Sequence, residues 1–110
     1  MTVANFIVLL RPELGDEVAP YRWSDAKIIR YINACRRALW STHTEAFYVS
    51  TVITALPADL ADGGTLDIID PFINRMMHFV AGEIFAEDSD DAMNIANSKM
   101  HKEQFLNGGM

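Results

Sequence analysis

Apolar residues recur at helical spacing in four stretches of the chain, and the clearest stretch follows a good helix-start signal. There they repeat at i, i+4, i+7 and i+11, the spacing of one buried helix face made by Ile28, Ile32, Cys35 and Leu39. Ser24 precedes them as an N-cap and Asp25 lies in the first turn, so we predict a helix over residues 24–41. Four polar residues lie mainly off this face: Arg30, Asn33, Arg36 and Arg37.

The same spacing predicts a shorter helix earlier in the chain. Its apolar face consists of Val3, Phe6, Ile7 and Leu10. Pro12 discourages continuation, because a proline inside a helix removes a hydrogen bond and clashes with the preceding turn. We therefore predict a helix over residues 2–10, followed by a loop over residues 11–22.

Two further helices are predicted in the second half of the chain. One covers residues 66–86, with Asp70 as an alternative start because Pro71 is tolerated only near a helix start. The other covers residues 89–106, capped by Ser89 and stopped by the glycines at 108 and 109. The apolar faces are expected to be Ile69, Phe72 or Ile73, Met76, Val80 and Ile84 in the first, and Met93, Ala96, Met100 and Phe105 in the second.

Residues 47–56 have a different pattern, dense in β-branched and aromatic side chains and without a polar helical face. This pattern predicts an extended segment that ends before Pro57. A lone strand leaves its backbone groups unpaired, so we expect it to pair with another subunit or a partner protein. The predicted fold is all-α: a single domain over residues 1–110, with a small bundle of about four helices and this segment between the second and third.

Composition and charge narrow the class of protein. With 110 residues, 50% hydrophobic and 22% charged, the chain fits one globular domain rather than a disordered one. The net charge is −6, and it is uneven: residues 1–55 carry six basic and five acidic side chains, and residues 56–110 carry three and ten. The acidic net charge disfavours broad nucleic-acid binding, because it does not neutralise phosphates. The uneven distribution of charge suits a protein that is held in one orientation between protein partners. No signal-peptide or membrane-spanning pattern is apparent, and one cysteine excludes an internal disulfide, so we expect intracellular synthesis.

No motif indicates catalysis or a bound cofactor. His43, His78 and His101 fall in three different segments, without a second ligand at metal spacing. The acidic run over residues 87–91 lacks the glycine and the distal glutamate of an EF-hand, so helix capping explains it better than calcium binding. Cys35 lies on the apolar face of its helix, where a thiol is usually inert. We expect neither an enzyme nor a metal or cofactor site.

Two blocks of the sequence resemble a known family. Residues 21–39, YRWSDAKIIRYINACRRAL, are similar to the RWSDAELLRYLNDAQRAL pattern of tailed-phage head–tail adaptors, also called connector or head-completion proteins. The second block resembles the closing helix pair of that family, joined by a KDSEDA-like turn. It runs from Leu66 to Ile73, from Ala81 to Ala92, and ends at Phe105 and Leu106. Related chains often carry a longer β-rich insertion where this chain has residues 47–64.

The resemblance implies a structural virion protein at the head–tail interface, made in the cytoplasm of a bacterial host. Twelve subunits would form a homo-oligomeric ring on the portal protein, extend the DNA channel and offer a docking surface to the tail or to a stopper protein. DNA would pass through the channel without sequence-specific binding, and no membrane would be involved.

Three features are predicted to form the subunit or portal interface. The extended segment needs a partner strand, the arginines suit acidic helices of a neighbour, and the chain beyond residue 106 lacks periodicity and is expected to order on binding. The predicted interface residues are Arg36, Arg37, Tyr48, Val49, Thr51, Val52, Ile53, Phe105, Leu106 and Asn107.

Two other classes of protein compete with this interpretation. The first is a small helical DNA-binding or regulatory protein, in which helix 24–41 would be the recognition helix. The net charge of −6 and the missing glycine-containing turn of a helix-turn-helix count against it. The second is a toxin–antitoxin or chaperone-like binding module, which the thin core and the methionines permit without favouring.

Overall fold

Four α-helices make up most of the described chain. The computed structural model describes residues 1–16, 21–47, 58–61, 63–87 and 92–107, with side chains from residue 96 onward in the last range. The helices are α1 (Val3–Leu14), α2 (Asp25–Thr42), α3 (Asp70–Glu87) and α4 (Ala92–Leu106), with a 3-10 helix at Thr44–Phe47. Within these ranges strand pairing is limited to one isolated bridge between Thr2 and Thr65. The predicted all-α class with four helices is confirmed.

The chain divides into two compact units, Met1–Ile69 and Asp70–Met110. The first unit contains α1, α2 and the 3-10 helix, and the second contains α3 and α4. The single domain over residues 1–110 stays a prediction.

The predicted helix over residues 24–41 is confirmed as α2. The hydroxyl of Ser24 accepts the backbone N–H of Lys27 at 3.2 Å, which satisfies one of the unpaired donors of the first turn. The apolar face is fully buried along its whole length: Ile28, Ile32, Cys35 and Leu39. Local capping and apolar spacing are therefore sufficient to place this helix.

The predicted end of α1 is wrong, because the helix continues through Pro12 to Leu14. Pro12 lies in the last turn, where its missing N–H costs one hydrogen bond, the one to the carbonyl of Val8. Gly15 then adopts a left-handed conformation, φ 66°, and donates to the carbonyl of Pro12 at 3.2 Å. The cap satisfies carbonyls of the last turn, those of Arg11 and Pro12, so the helix closes after Leu14 and includes residues assigned to a loop.

Residues 65–69 are not helical, so α3 begins at the alternative start, Asp70, rather than at Leu66. The backbone N–H of Leu66 donates to Met1 at 2.9 Å, and that of Ile69 donates to Ala46 at 2.8 Å. Leu66 and Ile68 are buried. This stretch therefore uses its backbone groups to join distant parts of the first unit, and these bonds replace those of a helical turn.

The second unit is a helix pair whose close approach occurs at Gly82 of α3. Ser98 of α4 donates its hydroxyl to the carbonyl of Gly82 at 2.8 Å. A Cβ atom at position 82 would lie 3.2 Å from Cγ of Lys102, tighter than ordinary van der Waals contact. The predicted apolar face of α3 is buried at Ile73, Met76, Val80 and Ile84. Ile69, also predicted on this face, instead precedes the helix and is half-buried.

The predicted inward face of α4 is wrong. Ala96 and Met100 are exposed and Phe105 is half-buried, whereas Ser98 and His101 are buried; the side chain of Met93 lies outside the described residues. Polar residues occupy the inner face because α3 supplies their hydrogen-bond partners, and a buried polar group with a partner is tolerated. An apolar periodicity search cannot detect such a face.

The predicted extended segment lies almost entirely outside the described residues. Its first residue, Phe47, instead ends the 3-10 helix and is buried, with its ring edge against Trp40 at a centroid distance of 5.4 Å. Residues 48–56, the Ser89 cap and the glycines at 108 and 109 fall outside the described ranges.

Candidate functional site

Arg36, predicted as an interface residue, is buried inside the first unit with 0% side-chain exposure. Its Nε and Nη2 groups donate to the two carboxylate oxygens of Asp67 at 2.9 and 2.6 Å, a bidentate pair. Its Nη1 group donates to Oδ1 of Asn33 at 2.9 Å. Arg36 therefore offers no exposed atom to a partner and instead ties α2 to Asp67.

The amide of Asn33 extends this network. Its oxygen accepts the backbone N–H of Leu60 at 2.9 Å, and its NH2 group donates to the carbonyl of Leu60 at 3.0 Å. One side chain therefore satisfies both backbone groups of that residue. The expectation that Asn33 lies off the buried face is wrong, since it is also buried. Neither burial follows from local spacing, because both partners lie more than twenty residues away.

Arg37 points outward and has 53% side-chain exposure. Its Nη1 group lies 3.1 Å from a carboxylate oxygen of Asp59, which is also exposed. An exposed pair of this kind contributes little to stability, so it remains open to exchange for a partner's carboxylate. Of the two arginines, only Arg37 is therefore placed where a partner contact is feasible.

The predicted interface at the end of α4 forms the wall of an apolar groove in the second unit. The groove has a volume of about 270 Å³ and is lined by Phe79, Glu83, Lys102, Phe105 and Leu106. Leu106 is 73% exposed, and the rings of Phe79 and Phe105 meet edge to face at 5.1 Å. Asn107 is exposed beside it. The other predicted interface residues, Tyr48, Val49, Thr51, Val52 and Ile53, lie outside the described residues.

Arg75 holds the groove's aromatic wall in place. Its guanidinium lies between the rings of Phe72 and Phe105, at 5.6 and 5.5 Å from their centroids, and donates to the carbonyl of Phe105 at 3.0 Å. Cations attract the faces of aromatic rings, and a basic donor also satisfies a carbonyl in the last helical turn. The end of α4 is thereby anchored to α3 while Leu106 stays exposed.

The outer face of α1 is a second apolar surface, and the sequence pattern did not indicate it. Val8 is 66% exposed and Leu9 is 49% exposed, with Ala4 and Pro12 exposed on the same side. One sequence feature could have indicated this surface: α1 carries apolar residues around more than one face, which is unusual for a surface helix of a single globular chain.

Arg11 lies on the inner side of α1, together with the buried apolar residues of the helix. Although charged, it is buried, and it donates to carboxylate oxygens of Asp16 at 2.8 Å and Asp25 at 2.5 Å. The ring of Tyr21 covers its guanidinium at 3.7 Å. With the cation held inside, the outward side of α1 is left to valine and leucine.

His78 and His101 meet between α3 and α4, although they lie far apart in the sequence. Their Nδ1 atoms are 2.8 Å apart, so one ring donates and the other accepts, and Phe85 stacks on His101 at 5.7 Å. In the described part of the chain, no three histidine, cysteine, aspartate or glutamate side chains group to hold a metal ion. The pair is a packing element of the second unit, and Cys35 is buried as expected.

Comparisons with known proteins identify no related protein. No family model, curated protein or solved structure matches the chain significantly. Within the described ranges, no helix has both the length and the apolar composition needed to cross a membrane.

Proposed function

We propose that this protein is a structural adaptor of the tailed-phage head–tail interface, assembling as a homo-oligomeric ring on the portal protein. The observation that carries the proposal is the pair of exposed apolar surfaces, one on α1 and one at the end of α4. Clustered exposed apolar side chains mark interaction sites, because leaving them in water costs free energy. A ring subunit needs two such surfaces, since each subunit meets two neighbours through different patches.

The charge distribution supports a structural role over a DNA-binding one. The chain carries −6 overall, and carboxylates match two of the three arginines of α2: Asp67 pairs with Arg36, and Asp59 pairs with Arg37. The third, Arg30, is exposed. A ring with such subunits would let DNA pass through its channel without holding it, because phosphates need exposed cations for binding. The opposite rim of the ring would then receive the tail or a stopper protein.

The direct test is assembly with the portal protein encoded in the same phage genome. The purified chain is expected to sediment as a monomer or a weak oligomer, and to form a ring-sized complex only when the portal protein is added. Rings that formed before the portal protein was present would compete with assembly on the portal, so we expect the free subunits not to close into rings. A stable small dimer whose sedimentation the portal protein does not change would contradict the adaptor.

A DNA-binding titration at several salt concentrations distinguishes the adaptor from the alternative, a small helical DNA-binding protein. We expect no binding to duplex DNA at moderate salt, because the net charge is −6 and two of the three arginines of α2 are paired within the chain. Binding that weakens steeply as salt rises would show counterion release from phosphate contacts and would support a DNA-binding protein instead.

A further inference from the structure

The two apolar surfaces suit each other in size. Leu9 is exposed on the outer face of α1, near a cavity of about 280 Å³ lined by Val8, Arg11, Pro12 and Tyr21. The surface on the second unit is a groove between Phe79, Phe105 and Leu106. Its volume of about 270 Å³ is ample for one aliphatic side chain, since cavities of about 150 Å³ already admit benzene.

Their charges are also complementary, and in register. Glu13 is exposed and is the only charged residue of α1 besides the buried Arg11. Lys102, at the groove, is half-exposed, and its ammonium lies 4.0 Å from Glu83, at the limit of an ion pair. Leu9 and Glu13 are one helical turn apart, as are Leu106 and Lys102, a spacing of about 6 Å in each helix.

We propose that the outer face of α1 in one copy docks antiparallel into the α3–α4 groove of a second copy, with Leu9 against Phe105 and Leu106, and Glu13 beside Lys102. The inference rests on the proposed function, because it names the contact between neighbouring subunits of the ring. The contact is heterologous: each copy that has filled one groove still presents its own free groove, so copies add head to tail until the ring closes.

Charge argues against one symmetric pairing of the two surfaces, and uncovered apolar area argues against the other. Two α1 faces brought together would place two Glu13 carboxylates in one interface with no exposed cation of α1 to match them. Two grooves brought together would leave Val8 and Leu9 uncovered in water. Docking of the α1 face into the groove covers both surfaces and places Glu13 beside Lys102.

Covalent capture between differently labelled copies tests the arrangement. One copy carries Val8→Cys and the other Asn107→Cys, both at exposed positions, and a short bis-maleimide joins cysteines that lie close together. The native Cys35 is fully buried and does not compete. We expect cross-linked dimers when the two variants are mixed, and none from either variant alone.

A matched control uses Ser41→Cys, which is also exposed and lies at the far end of α2 from Asp25, the residue bonded to Arg11. Mixed with Asn107→Cys, it is expected to give no dimer. Adding Leu9→Asp to the Val8→Cys copy is expected to lower the dimer yield about tenfold or more, because the contact then loses the burial of one leucine side chain. Glu13→Lys is expected to lower the yield as well, and this effect should fade at high salt.

Each other outcome overturns the inference. Dimers from Val8→Cys alone would show α1 faces meeting each other, and dimers from Asn107→Cys alone would show paired grooves. Capture within single chains of a double-cysteine variant, or yields equal to the Ser41→Cys control, would exclude docking between copies. The proposed function fails separately: dimer capture with no binding to the portal protein would leave the docking intact and refute the adaptor.

Discussion

Replacing Asp67 with alanine is expected to lower the free energy of unfolding of the first unit by about 3–5 kcal/mol. The change removes both carboxylate oxygens that accept from Arg36 and leaves a guanidinium with 0% exposure without its main counter-charge. Water cannot replace the lost partner at a buried site, so most of the desolvation cost of the charge is uncompensated. Urea unfolding followed by circular dichroism measures the effect.

The reverse truncation, Arg36→Met, is expected to cost less than Asp67→Ala. Asp67 keeps 22% side-chain exposure, so water can solvate its carboxylate once the arginine is gone. The double variant Arg36→Met with Asp67→Ala should be more stable than Asp67→Ala alone, because no unpaired charge remains buried. The exposed pair provides the control: Arg37→Ala is expected to cost no more than about 1 kcal/mol. Equal costs at Asp67 and Arg37 would show that Arg36 is not sequestered.

Ile32→Asp is expected to unfold the first unit. Ile32 is fully buried at the centre of the apolar face of α2. An aspartate there removes the buried methyl groups and buries a charge whose nearest cation on the helix, Arg36, is already paired with Asp67. The expected cost is about 4–5 kcal/mol or more. Small domains have about 5–15 kcal/mol of stability in total, so little remains.

Thermal melts monitored by circular dichroism test this second prediction, with Ser41→Asp as the matched control. That variant adds the same residue to the same helix at an exposed position, where it opposes the helix dipole by only about 0.3–1 kcal/mol. A melting curve of Ile32→Asp that coincides with the control would mean that the helix phase assigned to α2 is wrong.

The sequence predicts an interface at the end of α4 but not the groove found there. The lack of periodicity beyond residue 106 points to Phe105, Leu106 and Asn107, and the structure places Leu106 at an exposed groove edge. The opposite wall, Phe79 and Glu83, belongs to α3 and depends on how the two helices pack. The outer face of α1 is not indicated by the sequence pattern, because the inner stripe of α1 alone satisfies the helical spacing.

What the sequence determined by itself is the local part of this protein. The N-cap at Ser24 and the spacing from Ile28 to Leu39 predict α2 to within a residue, because caps and apolar stripes act over one or a few turns. The all-α class follows from four such stretches. The predicted end of α1 before Pro12 is wrong, because the helix tolerates the proline in its last turn and ends at a left-handed cap at Gly15.

Only the tertiary structure decided which polar groups lie inside. Arg36 finds Asp67, His101 finds His78, and Ser98 finds the carbonyl of Gly82, each across a separation that no helical period encodes. Burial of a polar side chain depends on whether a partner is present at hydrogen-bond distance, and that distance is set by the packing of elements rather than by the spacing within one. On α1, Arg11 with its carboxylates shares the inner side with the buried apolar stripe, and Val8 and Leu9 are left outside.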